Sequence, residues 1–389
     1  MADFEIPEVQ RTALESTALK VKVYGFGDIV DTFRRFLDPP PTPRVLGAIE
    51  RLKATRALDE DLQLTPLGRF LGQLPLDVEL GKILAFGAFY GCIDPCVTIA
   101  AYLSASVQLF ESGNNWQSGG SSGGSITREL LHGRSDLLTY YHIFRTWKAI
   151  MTTQGMAKAR VYCAKHSLNA KSLSIVDDTR SQLLSLLPFD FDACNRFSGN
   201  LDMVHTALLA AAYPNVMKMQ NGSFVSARGP VSLHGSSIFA GETAAAIVAS
   251  IHAEGLQVAG VEVSSAMAAR AATASRDLSP FYCYFTCLHA TQLSVFDATN
   301  VHPLLVAFAV GCQSPLAVNH VGRILTFDKD GIAKVRMANK TASHLVEFHK
   351  LLTLAFEQFL LNPREPEAPG VGDVVGMLHA ILSTPAEKK

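Results

Sequence analysis

Apolar residues recur every three or four positions over most of the first 212 residues, and in short alternating or aromatic runs after that. The early pattern predicts helices. Residues 1–22 read as a lead-in helix that starts at Pro7, with Leu14, Ala18, Leu19 and Val21 as its stripe. Asp28 can cap a second short helix over 28–37, with Ile29, Phe33, Phe36 and Leu37 on its apolar face; Pro39-Pro40-Pro41-Thr42-Pro43 stops it. Thr42 can cap the next helix, in which Val45, Leu46, Ile49, Leu52 and Leu58 recur at helical spacing. Leu62 and Leu64 alternate with polar residues, as in a short strand, and Thr65-Pro66 opens another helix.

Residues 83–103 are almost uncharged and long enough to suggest a membrane span. Asp94-Pro95 sits in their middle, however. Proline removes a backbone donor and disfavours helix at the residue before it, so two buried helices hinged there are expected instead. Residues 111–125 form a Gly/Ser-rich loop whose one aromatic, Trp116, either stacks on a base or packs on its own domain. Leu137, Leu138, Tyr141, Phe144 and Trp147 mark a long amphipathic helix. A further helix is ended by Pro188, and one around 200–212 stops at Tyr213-Pro214-Asn215.

From 213 to 336 the runs become β-branched and aromatic, with turn signals between them, which fits a small antiparallel barrel such as an OB-fold. An alanine-rich tract at 240–276 reads as an insertion. Helix periodicity returns at 340–361, with Leu345, Phe348, Leu351, Leu352, Ala355, Phe356 and Phe359 inward, and a last short helix is expected over 372–382. The fold class is therefore multidomain α+β.

Composition narrows the function. Of 389 residues 48% are hydrophobic and 18% charged, so the chain can build real cores. The formal net charge is −1, which excludes nucleic-acid binding by bulk charge alone and leaves only local contacts, or contacts shared with a partner. Seven cysteines stand without a CxxC pair, as expected of free thiols in a reducing, intracellular compartment rather than of a zinc site. Residues 1–22 lack a charged segment followed by an apolar one, so no secretory signal is expected.

The order of motifs resembles the region that lies C-terminal to the motor of DEAH/RHA-type RNA helicases. Ile6-Pro7-Glu8-Val9-Gln10-Arg11 resembles the segment just after the last motor motif. Leu64-Thr65-Pro66-Leu67-Gly68 and Leu74-Pro75-Leu76-Asp77 resemble the winged helix, and Gly81-Lys82 and Cys92-Ile93-Asp94-Pro95 the helices next to it. Ser135-Asp136-Leu137-Leu138 and Arg180-Ser181-Gln182-Leu183 are similar to the ratchet helices. Tyr213-Pro214-Asn215-Val216, Val231-Ser232-Leu233-His234-Gly235-Ser236-Ser237 and Thr291 through Asp297-Ala298-Thr299-Asn300-Val301-His302-Pro303-Leu304 resemble the OB-fold.

The resemblance implies a lead-in from the motor over 1–22, a winged helix over 23–90, a helical ratchet (HA2-like) over 91–212, an OB-fold over 213–339 and a helical extension over 340–389. It also implies an accessory module that binds single-stranded RNA and docks on motor domains. Four positions depart from the pattern: Leu137 for His, Gly235 for Pro, Ala212 for Gly and Ala290 for Lys, each removing a polar group or changing backbone shape near the expected RNA path.

The candidate RNA-binding residues are Ser135, Asp136, Tyr213, Asn215, His234, Ser236, Ser237 and Thr291. Ser135 and Asp136 suit helix capping as well as a place beside RNA. Short hydroxyls at 236, 237 and 291 suit phosphates or base edges as well as turns. Tyr213 and Asn215 either offer a base-stacking face or close a helix into a strand. His132 and Arg134 are expected at the solvated surface, and Lys218, Arg228, Arg323, Lys334 and Arg336 as scattered surface charge.

No G-x-x-x-x-G-K-[ST] loop, D-E-A-H or Ser-His-Asp spacing occurs, so no catalytic residue, metal site or cofactor is expected in this chain; the resemblance places ATP and Mg²⁺ in motor domains. The alternative is a protein-interaction scaffold in a ribonucleoprotein assembly that has lost RNA binding.

Overall fold

The computed structural model describes residues 7–110, 130, 132–220, 223–239, 279, 281–289, 293–310, 317–319, 324–326, 334–336 and 338–383. Thr291, Ala290, Trp116, Arg323, the Gly/Ser-rich loop and the alanine-rich tract lie outside them.

The N-terminal part begins with α1 (Glu8–Arg11), α2 (Glu15–Val23), α3 (Ile29–Arg34), α4 (Thr42–Ala54) and α5 (Pro66–Gln73). Asp28 caps α3 by accepting the Asp31 N–H at 2.9 Å, but α3 ends before Phe36, and Leu37 is 98% exposed rather than part of the apolar face. Thr42 lies inside α4; Pro41 is the cap position and offers no side-chain bond. Thr65 caps α5 as expected, its hydroxyl accepting the Gly68 N–H at 3.0 Å and donating to the Arg56 carbonyl at 2.6 Å. Gly68 is required there, since a Cβ would stand 1.9 Å from the Ala57 carbonyl oxygen. The expected wing strand is one bridge, Leu58 to Leu64, because Leu62 takes a left-handed φ of 59° that breaks the extended run.

Two helices, α6 (Val78–Phe89) and α7 (Ile93–Ala105), account for the long apolar stretch. Their turn falls at Gly91-Cys92, three residues before the expected hinge at Asp94-Pro95. Pro95 sits in the first turn of α7, where its missing N–H has no intrahelical partner to lose. Gly91 turns the chain with φ 69°, and a Cβ on it would meet the Phe197 ring at 2.8 Å. No helix among the described residues is long and apolar enough to cross a membrane.

The bundle continues with α8 (Asp136–Gln154), α10 (Ala170–Leu186) and α11 (Leu201–Ala212), packed on α6 or α7, and with α9 (Met156–Lys165), which packs on α8 and α10. Ser135, Asn169 and Asn200 cap α8, α10 and α11 with their side chains.

Then come the strands β1 (Val216–Gln220), β2 (Ser223–Ser226), β3 (Gly229–Leu233), β4 (Phe281–Cys283), β5 (Thr286–His289), β6 (Leu293–Phe296) and β7 (Thr299–Asn300). They form one curled sheet, a half-barrel, in the order β5-β6-β3-β2-β1-β4-β7. β1, β2 and β3 make an antiparallel meander, and β3 runs parallel to β6. β4 pairs with β1 while β5 pairs with β6, so the run 281–289 reaches both sides of the meander. Met217, Val231, Tyr282, Tyr284 and Val295 fill its small core.

Strands β8 (Ala317–Asn319), β9 (Ile324–Thr326) and β10 (Lys334–Arg336) stand apart from the half-barrel as a separate antiparallel sheet.

The last elements are α12 (Asn339–Leu361) and α13 (Val371–Ser383). α12 packs on α5 and α6, where Phe356 stacks on Phe86 at 4.6 Å and Phe359 meets Phe189 at 5.3 Å. Leu351 is half exposed, contrary to expectation, since the buried row of α12 runs through His349, Leu352, Phe356 and Phe359.

Candidate nucleic-acid interface

The first turn of α8 meets the half-barrel at a dense polar junction. Ser135 is fully buried; its hydroxyl caps Leu138 N–H and also bonds the Thr299 hydroxyl at 2.7 Å. The backbone joins in: Asp136 N–H donates to the Ala298 carbonyl at 3.0 Å, and Asn300 N–H to the Arg134 carbonyl at 2.8 Å.

Asp136 does not cap its own helix. Its Oδ1 accepts the Ile238 N–H at 2.8 Å, and its Oδ2 accepts the Ser237 hydroxyl at 2.8 Å and the Ala298 N–H at 2.9 Å. One carboxylate thus ties α8 to both the turn after β3 and the turn between β6 and β7. Burial pushes the Asp136 carboxyl up to about 7; the bonds from Ile238 and Ser237 oppose that rise, and the charge of Asp297 adds to it. Asp297, half-buried and held by the exposed Thr286 hydroxyl at 2.9 Å, is raised to about 6 by desolvation.

The structure therefore divides the candidate residues. Ser135, Asp136 and Ser237 are brought together, but at 0%, 1% and 2% exposure they hold the junction and offer no surface to RNA in this conformation. Tyr213 is buried too, its carbonyl accepting the Lys82 ammonium at 2.8 Å, so its ring presents no open face.

His234, Ser236 and Asn215 stay at the surface or half-buried. The His234 ring lies against Phe296, centroids 4.2 Å apart at 27°, and its Nδ1 is 2.8 Å from the Ser236 hydroxyl. The Asn215 side-chain oxygen accepts from Arg228 at 3.4 Å, and Arg228 also reaches the exposed Cys287 thiol at 3.5 Å. Lys218 sits over the Phe281 ring at 5.3 Å.

Sequence reasoning missed Phe296 and Thr299 as partners. Both stood inside the Thr291-to-Leu304 motif, which is the signal that could have found them.

His132 and Arg134 are half-buried rather than solvated. The His132 ring stacks on His142 at 5.5 Å and meets His205 edge-on at 6.2 Å. Burial lowers His205 to about 3, and the charges of His132 and Arg134 add to that, so it stays neutral. A cleft of about 390 Å³ lies elsewhere, lined by Glu15, Asp77, Glu79 and Thr286 among others; its carboxylates do not suit a phosphate backbone.

Residues 48–76 match the family described as helicase associated domain (HA2), winged-helix, and residues 77–140 match helicase associated domain (HA2), ratchet-like. The chain is 33% identical over 230 residues to the DExH-box ATP-dependent RNA helicase DExH3 of Arabidopsis thaliana, a match covering 57% of the chain and 18% of that protein. It is 30% identical over 228 residues to human ATP-dependent DNA/RNA helicase DHX36, covering 56% and 22%. Against human ATP-dependent RNA helicase DHX29 it is 30% identical over 233 residues, covering 56% and 17%. The chain thus spans about a fifth of the length of these relatives.

Proposed function

We infer that this chain, which carries the helicase-associated region of DEAH-type RNA helicases, is an accessory module that guides single-stranded RNA beside an ATP-driven motor. One observation carries the reading: Asp136 holds Ser237 and Ile238, which directly follow the His234–Ser236 turn, and Ser135 holds Thr299, so that the half-barrel is fixed against the first turn of the ratchet helix α8. That arrangement would hold a stacking ring, His234 on Phe296, and the basic Arg228 and Lys218 on one rigid body, as guidance of a strand needs.

The half-barrel is read here as an OB-fold. In support, a three-strand meander, a parallel β3–β6 pair and a bent β4–β5 run that reaches both sides are what a partly open Greek-key barrel requires.

In this reading His234, Ser236, Asn215 and Thr291 contact RNA, while Ser135, Asp136, Ser237 and Tyr213 position them. ATP and Mg²⁺ act in motor domains, which are the docking partner, and the setting is intracellular. The test is fluorescence anisotropy with labelled single-stranded RNA at low and moderate salt. Binding that weakens steeply with salt and falls in His234→Ala supports the reading; binding unchanged by His234→Ala and Arg228→Ala overturns the site.

The net charge of −1 favours a second reading, a scaffold docking ribonucleoprotein proteins. Absence of RNA binding at low salt, both alone and with the motor present, would favour it.

A further inference from the structure

The cleft of about 390 Å³ opens where α2, the end of α4, the start of α6, the end of α7 and the β4–β5 bend come together. That volume falls in the range of small-molecule sites, about 300–1,000 Å³. Its lining mixes two chemistries. The buried Ile83 and Phe285 and the half-buried Leu80 and Leu103 make it apolar in part. Glu15, Asp77 and Glu79 line it too, and Arg51 is the one cation among the described lining residues.

These carboxylates have acceptor capacity to spare. Glu15 Oε1 accepts from the Arg51 guanidinium, but Oε2 is shielded from solvent and has no hydrogen-bond partner among the described residues. A shielded acceptor without a donor costs free energy that a bound cation would recover. Asp77 stands at the N-cap of α6 yet accepts no cap bond. Neither Asp77 nor Glu79 has an ion pair among the described residues. The charges of Lys82 and Arg228 reach Glu79, but Lys82 gives its ammonium to the Tyr213 carbonyl at 2.8 Å and Arg228 extends to Asn215 and Cys287.

The class of cation follows from this arrangement. A metal ion needs oxygens that converge on one point, and no cluster of His, Cys, Asp or Glu among the described residues is set to hold one. One lysine side chain of a partner brings a single ammonium and leaves the other carboxylates unmet. A flexible chain whose ammonium groups are separated by methylene runs meets both parts of the lining, with its charges on the carboxylates and its stem on the apolar walls.

We propose that this cleft binds a linear aliphatic polyamine, its ammonium groups on Glu15, Asp77 and Glu79 and its methylene runs on Leu80, Ile83 and Phe285. The ligand would bridge the helices of the N-terminal part and the half-barrel.

The test is isothermal titration of the full chain with spermidine, and separately with hexamminecobalt(III), which is also trivalent but has no methylene stem. Spermidine should bind saturably at one site, and hexamminecobalt(III) about tenfold or more weaker. Glu79→Gln and Asp77→Asn, both at exposed positions, should each weaken spermidine about tenfold, the loss of one charge-assisted hydrogen bond. No saturable binding at millimolar spermidine overturns the site. Equal binding of hexamminecobalt(III) reduces it to a plain acidic patch and overturns it as well, as does spermidine affinity unchanged in both variants. No arm of the test involves RNA.

Discussion

The Arg180 guanidinium of α10 donates to the Asp94 carboxylate of α7 at 2.6 Å, and the other Asp94 oxygen accepts the Tyr141 hydroxyl of α8 at 2.8 Å. Arg180 also reaches the Thr98 hydroxyl at 3.1 Å. Three helices of the bundle thus share one charged node. Its members come from motifs far apart in the chain, Cys92-Ile93-Asp94-Pro95 and Arg180-Ser181-Gln182-Leu183.

Breaking that node should cost stability beyond an ordinary surface pair, because both side chains are mostly shielded, at 17% and 28% exposure. Arg180→Ala and Asp94→Ala should each destabilise by about 1–3 kcal/mol. A double-mutant cycle in urea should show the pair to be strongly coupled. Additive losses would mean that the two residues act separately.

Tyr90 donates to the Phe308 carbonyl at 2.6 Å and accepts the Val310 N–H at 3.0 Å, all of it buried. Tyr90→Phe leaves both backbone groups unpaired and should cost about 1–3 kcal/mol in denaturant titration.

Gly68→Ala forces a methyl group into the Ala57 carbonyl, which backbone cannot yield cheaply. The expected loss is about 2–3 kcal/mol, read as a lowered Tm. An unchanged Tm would show that the turn at 55–58 relaxes freely.

His205 gives the fold a pH signature of its own. Its folded pKa is depressed from 6.5 to about 3, so it stabilises the fold above about pH 6.5 and loses that contribution as the pH falls towards 3. His205→Leu should therefore lose less Tm than the native protein between neutral and acid pH. Parallel profiles would show that acid sensitivity arises elsewhere.

His234→Ala should weaken single-stranded RNA binding by about 1–3 kcal/mol if a base stacks on that ring. Lys218→Ala should instead flatten the salt dependence, since it removes a charge and no stacking surface. Anisotropy titrations across salt concentrations separate the two effects.

Helix identities and order were legible because apolar spacing and caps such as Thr65 and Ser135 are local signals. The separate small sheet was not: β8, β9 and β10 have the same β-branched look as the half-barrel strands, and only pairing assigns them. The site was legible as motifs but not as roles. Asp136 stands where a capping residue stands, and no local rule says that its carboxylate turns away to bonds with Ile238 and Ala298, more than a hundred residues on. Leu37 failed for a related reason: α3 stops at Arg34, so the helical register that would have buried Leu37 no longer applies.

The Tyr90–Phe308 bond spans 218 residues, and Phe86 and Phe89 of the same helix pack against Phe356 in α12. A chain leaving the ribosome at about 5–20 residues per second therefore carries α6 without these partners for roughly 10–50 seconds. Over that interval the centre of the bundle is unfinished, with an aromatic face open to any nascent-chain chaperone. Truncations that stop short of α12 should prolong that exposure indefinitely and appear as aggregation rather than as lost binding.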